Sequence, residues 1–316
     1  FHSVSVITDA ITKGIGGFDK NAIYGAMVAA SNYTSWSIPT FNKNNYLQID
    51  DESESVSKAL EYAYDNWCIA QVARTLNNAS EAAAFDLRAS SYINQYDPST
   101  GFMRPRRNGT WFSPFDPREV NNHYTEANSY QYSFFVPQDI PGMIDLMGGI
   151  DATDKKLDGL FTAPNSTTGR TQADITGLIG QYAHGNEPSH HMAYLYDYIG
   201  KPWKTQALIH QIVDSLYHPV YNGLPGNEDC GQMSAWYVWS ALGFYPVNAA
   251  SGEYVFGTPL MNETTIKLAN GKAFTVTAKN LSDKNIYIQS ATLNAKPYTK
   301  SFIKHSDILK GGTLVL

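Results

Sequence analysis

In the run "DESESVSKALEYAYDNWCIAQVARTL", Val56, Leu60, Ala63, Trp67, Ala70 and Arg74 recur at intervals of three and four. Acidic and serine residues open the run, as they do at helix starts, so the pattern predicts an α-helix with one inward face. A second helical period runs through "SEAAAFDLRASSYINQY" and stops before Asp97-Pro98. Further helical patterns cover 20–31, 128–135, 140–148, 152–161, 190–199, 203–217 and 231–243. The connections "LNNAS" and "IGKPW" are short enough to fold successive helices back as antiparallel pairs,. Longer polar loops, 97–125 and 218–230, separate the pairs, and the glycines of "TKGIGGFD" read as a turn because no strand precedes them. Near residue 250 the period changes to two. "GEYVFGTPL", "TIKLA", "AFTVTAKN", "IYIQSATL" and "GGTLVL" alternate or are β-branched, with turn residues between them,. The expectation is a mainly α chain: helical hairpins over 1–248, of the kind that build an α/α toroid, and a small antiparallel β-module over 249–316 packed on them,.

Composition narrows this picture. With 43% hydrophobic and 16% charged positions over 316 residues, the chain is globular and long enough to bury a large core,. A net charge of −6 without a basic cluster excludes a nucleic-acid partner,. No apolar run approaches the roughly 20 residues that span a membrane. The chain opens at Phe1 with no signal-peptide pattern, which reads as a processed or shortened polypeptide,. Cys68 and Cys230 fall in helical surroundings and are expected as buried thiols, neither a disulfide framework nor a metal site,. Aromatic residues make up 13% of the chain; their flat apolar faces suit a core and also a sugar ring,. Trp67, Trp236 and Trp239, mid-helix, are expected in the core, whereas Trp111, in the loop "NGTWFSPF", is the candidate sugar platform,. Arg104, Arg106 and Arg107 read as a solvated face.

Three loop-to-helix junctions set carboxylates beside aromatics: Glu126 in "NNHYTEANSYQYSFFVPQD", Glu187 in "GLIGQYAHGNEPSHHMAYLYDY", and Glu228 and Asp229 in "GNEDCGQMSAWYVWSALGFYP". Pro188 disfavours the helical region for Glu187, so that carboxylate is expected on a loop,. Asn227, Glu228 and Asp229 also suit a helix N-terminus, whose free N–H groups they would cap; Asn227 is the expected cap once Asp229 is given to catalysis,. His190 and His191 are adjacent, so they cannot share a helix face as zinc ligands do,. Asn186, Glu187, Glu228 and Asp229 are oxygen donors of the type Ca²⁺ takes, though no EF-hand loop is present,. The chain holds no nucleophile elbow, P-loop or dinucleotide fingerprint,. Carboxylate acid/base chemistry on a sugar is the remaining economical reading.

Taken in order, "HSVSVITDAITKGIGGFD", "SVSKALEYAYDNWCIAQVA", "GFMRPR", "YTEANSYQYSFFVPQD", "TGLIGQYAHGNEPSHHMAYLYDYIGKPWKTQ" and "GLPGNEDCGQMSAWYVWSALGFYPV" resemble the catalytic portion of glycoside hydrolase family 92, the calcium-dependent exo-acting α-mannosidases. The resemblance implies an (α/α)6 toroid preceded by a β-sandwich, with this chain beginning after the sandwich and the first toroid helices. It implies inverting hydrolysis of terminal α-mannosyl linkages, such as α-1,2-mannosides, on mannose-containing glycans by a secreted, periplasmic or cell-surface protein. Glu126 then matches the general acid, shielded by Tyr124, Tyr130 and Tyr132, and Asp229 the general base. Inverting sites hold two such carboxyls about 6.5–9.5 Å apart. Asn186, Glu187 and Asp229 match the calcium region, and Glu187, His190, His191, Glu228 and Trp111 the sugar contacts. Two residues depart from the family pattern: Gln138 stands where a His is frequent, and Asn227 where a second Asp is frequent. A toroid glycosidase of another sugar specificity and an inactive carbohydrate-binding fragment are the alternative readings.

Overall fold

Ser55–Thr75 forms a 21-residue α-helix, as its period predicts, but fourteen of its residues are buried rather than one face. A helix enclosed nearly all round shows little amphipathicity, and its polar residues have to be small or paired. Asp65 is 2% exposed and pairs with His2, whose Nδ1 lies 2.7 Å from Asp65 Oδ2. That hydrogen bond holds the His2 imidazole above its ordinary range. His2 heads a helix that the period did not reveal, Ser3–Thr12, whose Thr8 hydroxyl donates to the Cys68 carbonyl at 3.1 Å.

The computed structural model describes residues 1–316, which form two compact units, 1–183 and 184–316. In the first unit the helices are α1 (Ser3–Thr12), α2 (Lys20–Ala30), α3 (Ile38–Asn44), α4 (Ser55–Thr75), α5 (Ala79–Ala89), α6 (Ser129–Tyr132), α7 (Ile140–Leu146) and α8 (Ile150–Thr162). α4 and α5 pack as the predicted antiparallel pair across the Asn77–Asn78 break, and Asn77 takes positive φ there. The expected helix over 128–135 shrinks to the single turn α6, closed by a capping box between Asn128 and Gln131,. Between α5 and α6 the chain makes two-residue pairings, Tyr96–Asp97 with Phe102–Met103 and Arg106–Arg107 with Thr110–Trp111. Gln138, the non-titrating departure from the family pattern, donates its amide to the Ala89 carbonyl at 3.3 Å and so ties the segment before α7 to the end of α5.

In the second unit α9 (Pro202–Leu216) and α10 (Gln232–Leu242) form where their periods place them. Residues 192–199 make a 3-10 helix instead of an α-helix. Seven of its eight side chains are buried. Gly243 closes α10 at φ 95°, where a Cβ would meet Pro259 Cβ at 3.1 Å,.

Strands follow from 244 onward. Phe302–Lys304, Glu253–Phe256 and Phe244–Tyr245 form an antiparallel three-stranded sheet. A second sheet runs in the order Glu263–Lys267, Ala273–Thr277, Gly312–Val315, Ala291–Leu293, Lys296–Tyr298. It is not wholly antiparallel as expected: Ala273–Thr277 and Gly312–Val315 pair in parallel. The residues between them supply the long crossover that parallel pairing demands. Phe274, Val276, Ile303 and Leu314 meet in one cluster against which Trp239 and Leu242 of α10 pack.

Candidate active site

Each carboxylate junction is built by local backbone chemistry. In the first unit, residues 122–125 are laced to the start of α4: Glu54 N–H donates to the Asn122 carbonyl at 2.6 Å and Val56 N–H to the His123 carbonyl at 3.1 Å. Thr125 N–H donates to Ser57 Oγ at 2.8 Å. Glu126 follows at φ 49°, a conformation few L-residues adopt, with Ala127 and Asn128 buried directly behind it,. The expected shield of tyrosines does not close over Glu126, whose side chain is exposed. The rings are spent elsewhere. Tyr124 donates its hydroxyl to the Met103 carbonyl at 2.8 Å, Tyr132 donates to Glu61 Oε1 at 3.0 Å, and Tyr130 stands edge-on to Phe102.

Glu61 is a further carboxylate at this junction, marked by no motif in the sequence. Burial pushes its carboxyl up against the opposing pull of His2, and Tyr132 links it toward Thr125. The signal present is spacing: Glu61 and Asp65 are acids at i, i+4, on one face of the helix,. Trp111 is half-buried, and the Arg106 guanidinium lies 3.6 Å from its ring centroid, so one face is already covered. The arginines are not a uniform solvated face. Arg104 NH1 pairs with Asp97 Oδ2 at 2.8 Å and its Nε donates to the Phe112 carbonyl at 3.0 Å. Only Arg107, facing Asp50 at 3.4 Å, is as exposed as predicted.

In the second unit the other two junctions are brought together. Gln232 Nε2 lies 3.2 Å from His190 Nδ1, and Trp236 Nε1–H donates to the His190 carbonyl at 3.0 Å. Tyr245 bonds to Gln232 and feels the charge of Glu187. Glu187 is exposed at the head of a one-turn 3-10 helix, Glu187–Ser189, rather than on an open loop, with buried Asn186 extended before it. Asp229 and Cys230 follow one another at φ 46° and 57°, and Gly231 at 95° turns the chain into α10. Asp229 is exposed, and so is Cys230: a turn, not a helix, carries it, so the expectation of a buried thiol holds only for Cys68. Glu228 serves the helix start, since Ser234 N–H donates to Glu228 Oε1 at 3.3 Å. Tyr217, Gln232 and Tyr245, which frame these carboxylates, were absent from the sequence reading because polar aromatics and amides carry no spacing signal.

His190 and His191 were expected to touch the sugar, yet both are buried. His190 Nε2 lies 2.9 Å from the His184 carbonyl, which only an N–H can satisfy, so Nδ1 is the atom that accepts from Gln232,. Both nitrogens of His190 are thus committed, and it positions Gln232 rather than contacting a ligand. His184 Nε2 lies 2.7 Å from Tyr217 Oη, whose proton goes to the Met233 carbonyl at 3.2 Å. Burial holds His190 down to about 4 and His184 well below its ordinary range. A histidine with a lowered folded pKa binds fewer protons than in the unfolded chain, so its contribution is lost as pH falls from 6.5 through 4,. The stability of wild type relative to His190→Gln should therefore drop by about 3 kcal/mol between pH 6.5 and pH 4 in urea unfolding,. A gap independent of pH would refute the buried neutral imidazole.

No group of three or more His, Cys, Asp or Glu side chains gathers as a metal cluster. Asn186, Glu187 and Asp229 offer only oxygen, which fits a hard cation whose shell is completed by carbonyls, water and ligand hydroxyls, and does not fit zinc,.

A family model described as the glycosyl hydrolase family 92 catalytic domain matches residues 1–316. The family GH92 α-mannosidase BT3965 from Bacteroides thetaiotaomicron, solved in complex with mannoimidazole, superposes with a TM-score of 0.94 at 41% identity, over 100% of this chain and 43% of that one. The family GH92 inverting mannosidase BT2199 from the same organism gives 0.91 at 37% identity, over 99% and 45%. An uncharacterized secreted glycosidase of Arthroderma benhamiae is 30% identical across 98% of this chain and 44% of its own length. The chain thus spans less than half the length of these relatives. With its whole length matched and its two long carboxylate motifs folded against each other, the chain belongs to the catalytic domain of glycoside hydrolase family 92.

Proposed function

We propose that this chain is the catalytic portion of an exo-acting, inverting α-mannosidase that removes terminal mannose, such as α-1,2-linked residues, from glycans. The observation that carries the reading is backbone geometry. Glu126 and Asp229 stand in motif-bearing loops at φ 49° and 46°, conformations that cost of order 1–3 kcal/mol and persist where a side chain has to be aimed,. Similarity to mannosidases supplies the sugar.

In this reading Glu126 gives its proton to the glycosidic oxygen as the bond to the anomeric carbon breaks. Asp229 takes a proton from the water attacking the opposite face, so mannose leaves with inverted configuration. Gln232, held by His190 and Tyr245, orients the ligand beside Asp229. Asn186, Glu187 and Asp229 would hold calcium, which when bound supplies a fixed positive charge for sugar hydroxyls. The relatives extend well beyond this stretch, and the β-sandwich that the family resemblance implies would contribute further substrate contacts; the protein is secreted, as one relative is named.

Proton NMR of the first turnovers on a methyl or aryl α-mannoside tests the reading. β-Mannose should appear before mutarotation, and α-mannose appearing first would overturn the inverting assignment. Chelation should lower the rate at least about tenfold, restored by added Ca²⁺; an unaffected rate would remove the metal from the proposal.

A further inference from the structure

One face of the second unit has no part in the carboxylate junctions. Three cavities, of ≈ 530, 430 and 190 Å³, open beside one another there and share the residues Ile288 and Gln289. The largest two also share Tyr287, and the middle one is bounded by Trp203 at the start of α9. Both rings are large and open, Trp203 at 52% and Tyr287 at 46% exposure.

Tyr287 is not on a slack loop. The buried Thr258 hydroxyl donates to the Ile286 carbonyl at 2.8 Å, and Ile288 N–H donates to Gln206 Oε1 at 3.1 Å. The residue is clamped on both sides and its ring turned outward. Holding an aromatic surface exposed and fixed gives up burial that packing would otherwise gain, which marks a binding surface.

The smallest cavity adds a second and independent observation. Asp197, 7% exposed, lines it, and neither carboxylate oxygen has a hydrogen-bond partner. The Thr205 hydroxyl and the backbone N–H of Asp197 itself lie close enough to oppose the upward push of burial, but neither is aligned as a hydrogen bond to the carboxylate. Burial pushes the Asp197 carboxyl up to about 7. An orphaned buried carboxylate calls for hydrogen-bond donors from outside. A metal ion is a poor candidate: no further acid or histidine joins Asp197 there, and Lys300 lines the same cavity. A ligand rich in hydroxyls satisfies both, donating to Asp197 and accepting from Lys300.

We propose that this face is a second carbohydrate-binding site, in which a glycan chain lies against Trp203 and Tyr287 and turns hydroxyls toward Asp197. The choice of sugar as ligand rests on the mannosidase reading; the site itself does not. It would hold a polymeric glycan near the enzyme while chain ends are trimmed elsewhere.

The intact protein, run on native gels containing soluble α-mannan or a β-glucan, tests this. Mobility of the wild type should be retarded by α-mannan, and Trp203→Ala/Tyr287→Ala should weaken retardation at least tenfold while hydrolysis of a small aryl α-mannoside stays unchanged. Asp197→Asn, a smaller change, should weaken retardation with an unaltered melting temperature at pH 5. Retardation that survives both variants overturns the proposal. So does protection of Trp203 and Tyr287 from oxidative footprinting without glycan, which would mean that another part of the polypeptide covers them. Absence of aryl mannoside hydrolysis in the wild type, with retardation intact, would instead strike the mannosidase reading and leave the site standing.

Discussion

Glu126→Gln should lower hydrolysis of an α-mannoside with a poor leaving group by about 10²–10⁴-fold, the usual contribution of general acid catalysis. The loss should shrink steeply as the leaving group becomes more acidic, because a phenolate that departs unaided needs no proton. Asp229→Asn should lose a similar factor whatever the leaving group, since activating water is required for every substrate. For Glu126→Gln that dependence separates chemistry from misfolding, since a structural defect would move all substrates alike. Glu126 is exposed and pinned by the Thr125–Ser57 hydrogen bond, and Asp229 is exposed in a turn, so neither substitution disturbs a core. Equal losses for Glu126→Gln across a leaving-group series would remove it from the role of acid.

Trp236→Ala is expected to destabilise the fold by about 3–5 kcal/mol, the range for truncating a fully enclosed large aromatic. Trp236 is 0% exposed, stands edge-on to His184 at 4.2 Å between ring centroids, and stacks on Tyr217 at 5.9 Å. Its indole N–H also satisfies the His190 carbonyl. Trp236→Phe should recover most of the packing but leave that carbonyl unpaired, a residual cost of about 1–3 kcal/mol. Urea unfolding of both variants reads this directly. A loss below about 1 kcal/mol for the alanine variant would show that the cluster collapses around the gap. Where the alanine variant still folds, substrate KM should rise, because His190 and Gln232 lose their backing.

One apolar period marked α9, whereas α4, enclosed nearly all round, was legible from its opening residues and its length, and strands were legible where alternation took over. What failed was informative. The segment 192–199 has a helical period yet winds as a 3-10 helix, a distinction that spacing along the chain does not carry. The parallel pairing of Ala273–Thr277 with Gly312–Val315 could not be read, since alternation gives a strand's faces and not its partner's direction,. α1 went unmarked although Val4, Thr8 and Ile11 are buried at helical spacing along it.

By itself the sequence determined the class of fold, the family, and the three stretches where carboxylates meet aromatics, because period and motif are local properties. Only the tertiary structure decided how those residues are spent. It turned the tyrosines around Glu126 into core anchors, committed both nitrogens of His190, gave the helix start to Glu228, and left Cys230 and the Asp229 side chain in the open. Hydrogen-bond partners and exposure depend on which distant segments arrive at a site, and no spacing along one strand of text encodes that arrival.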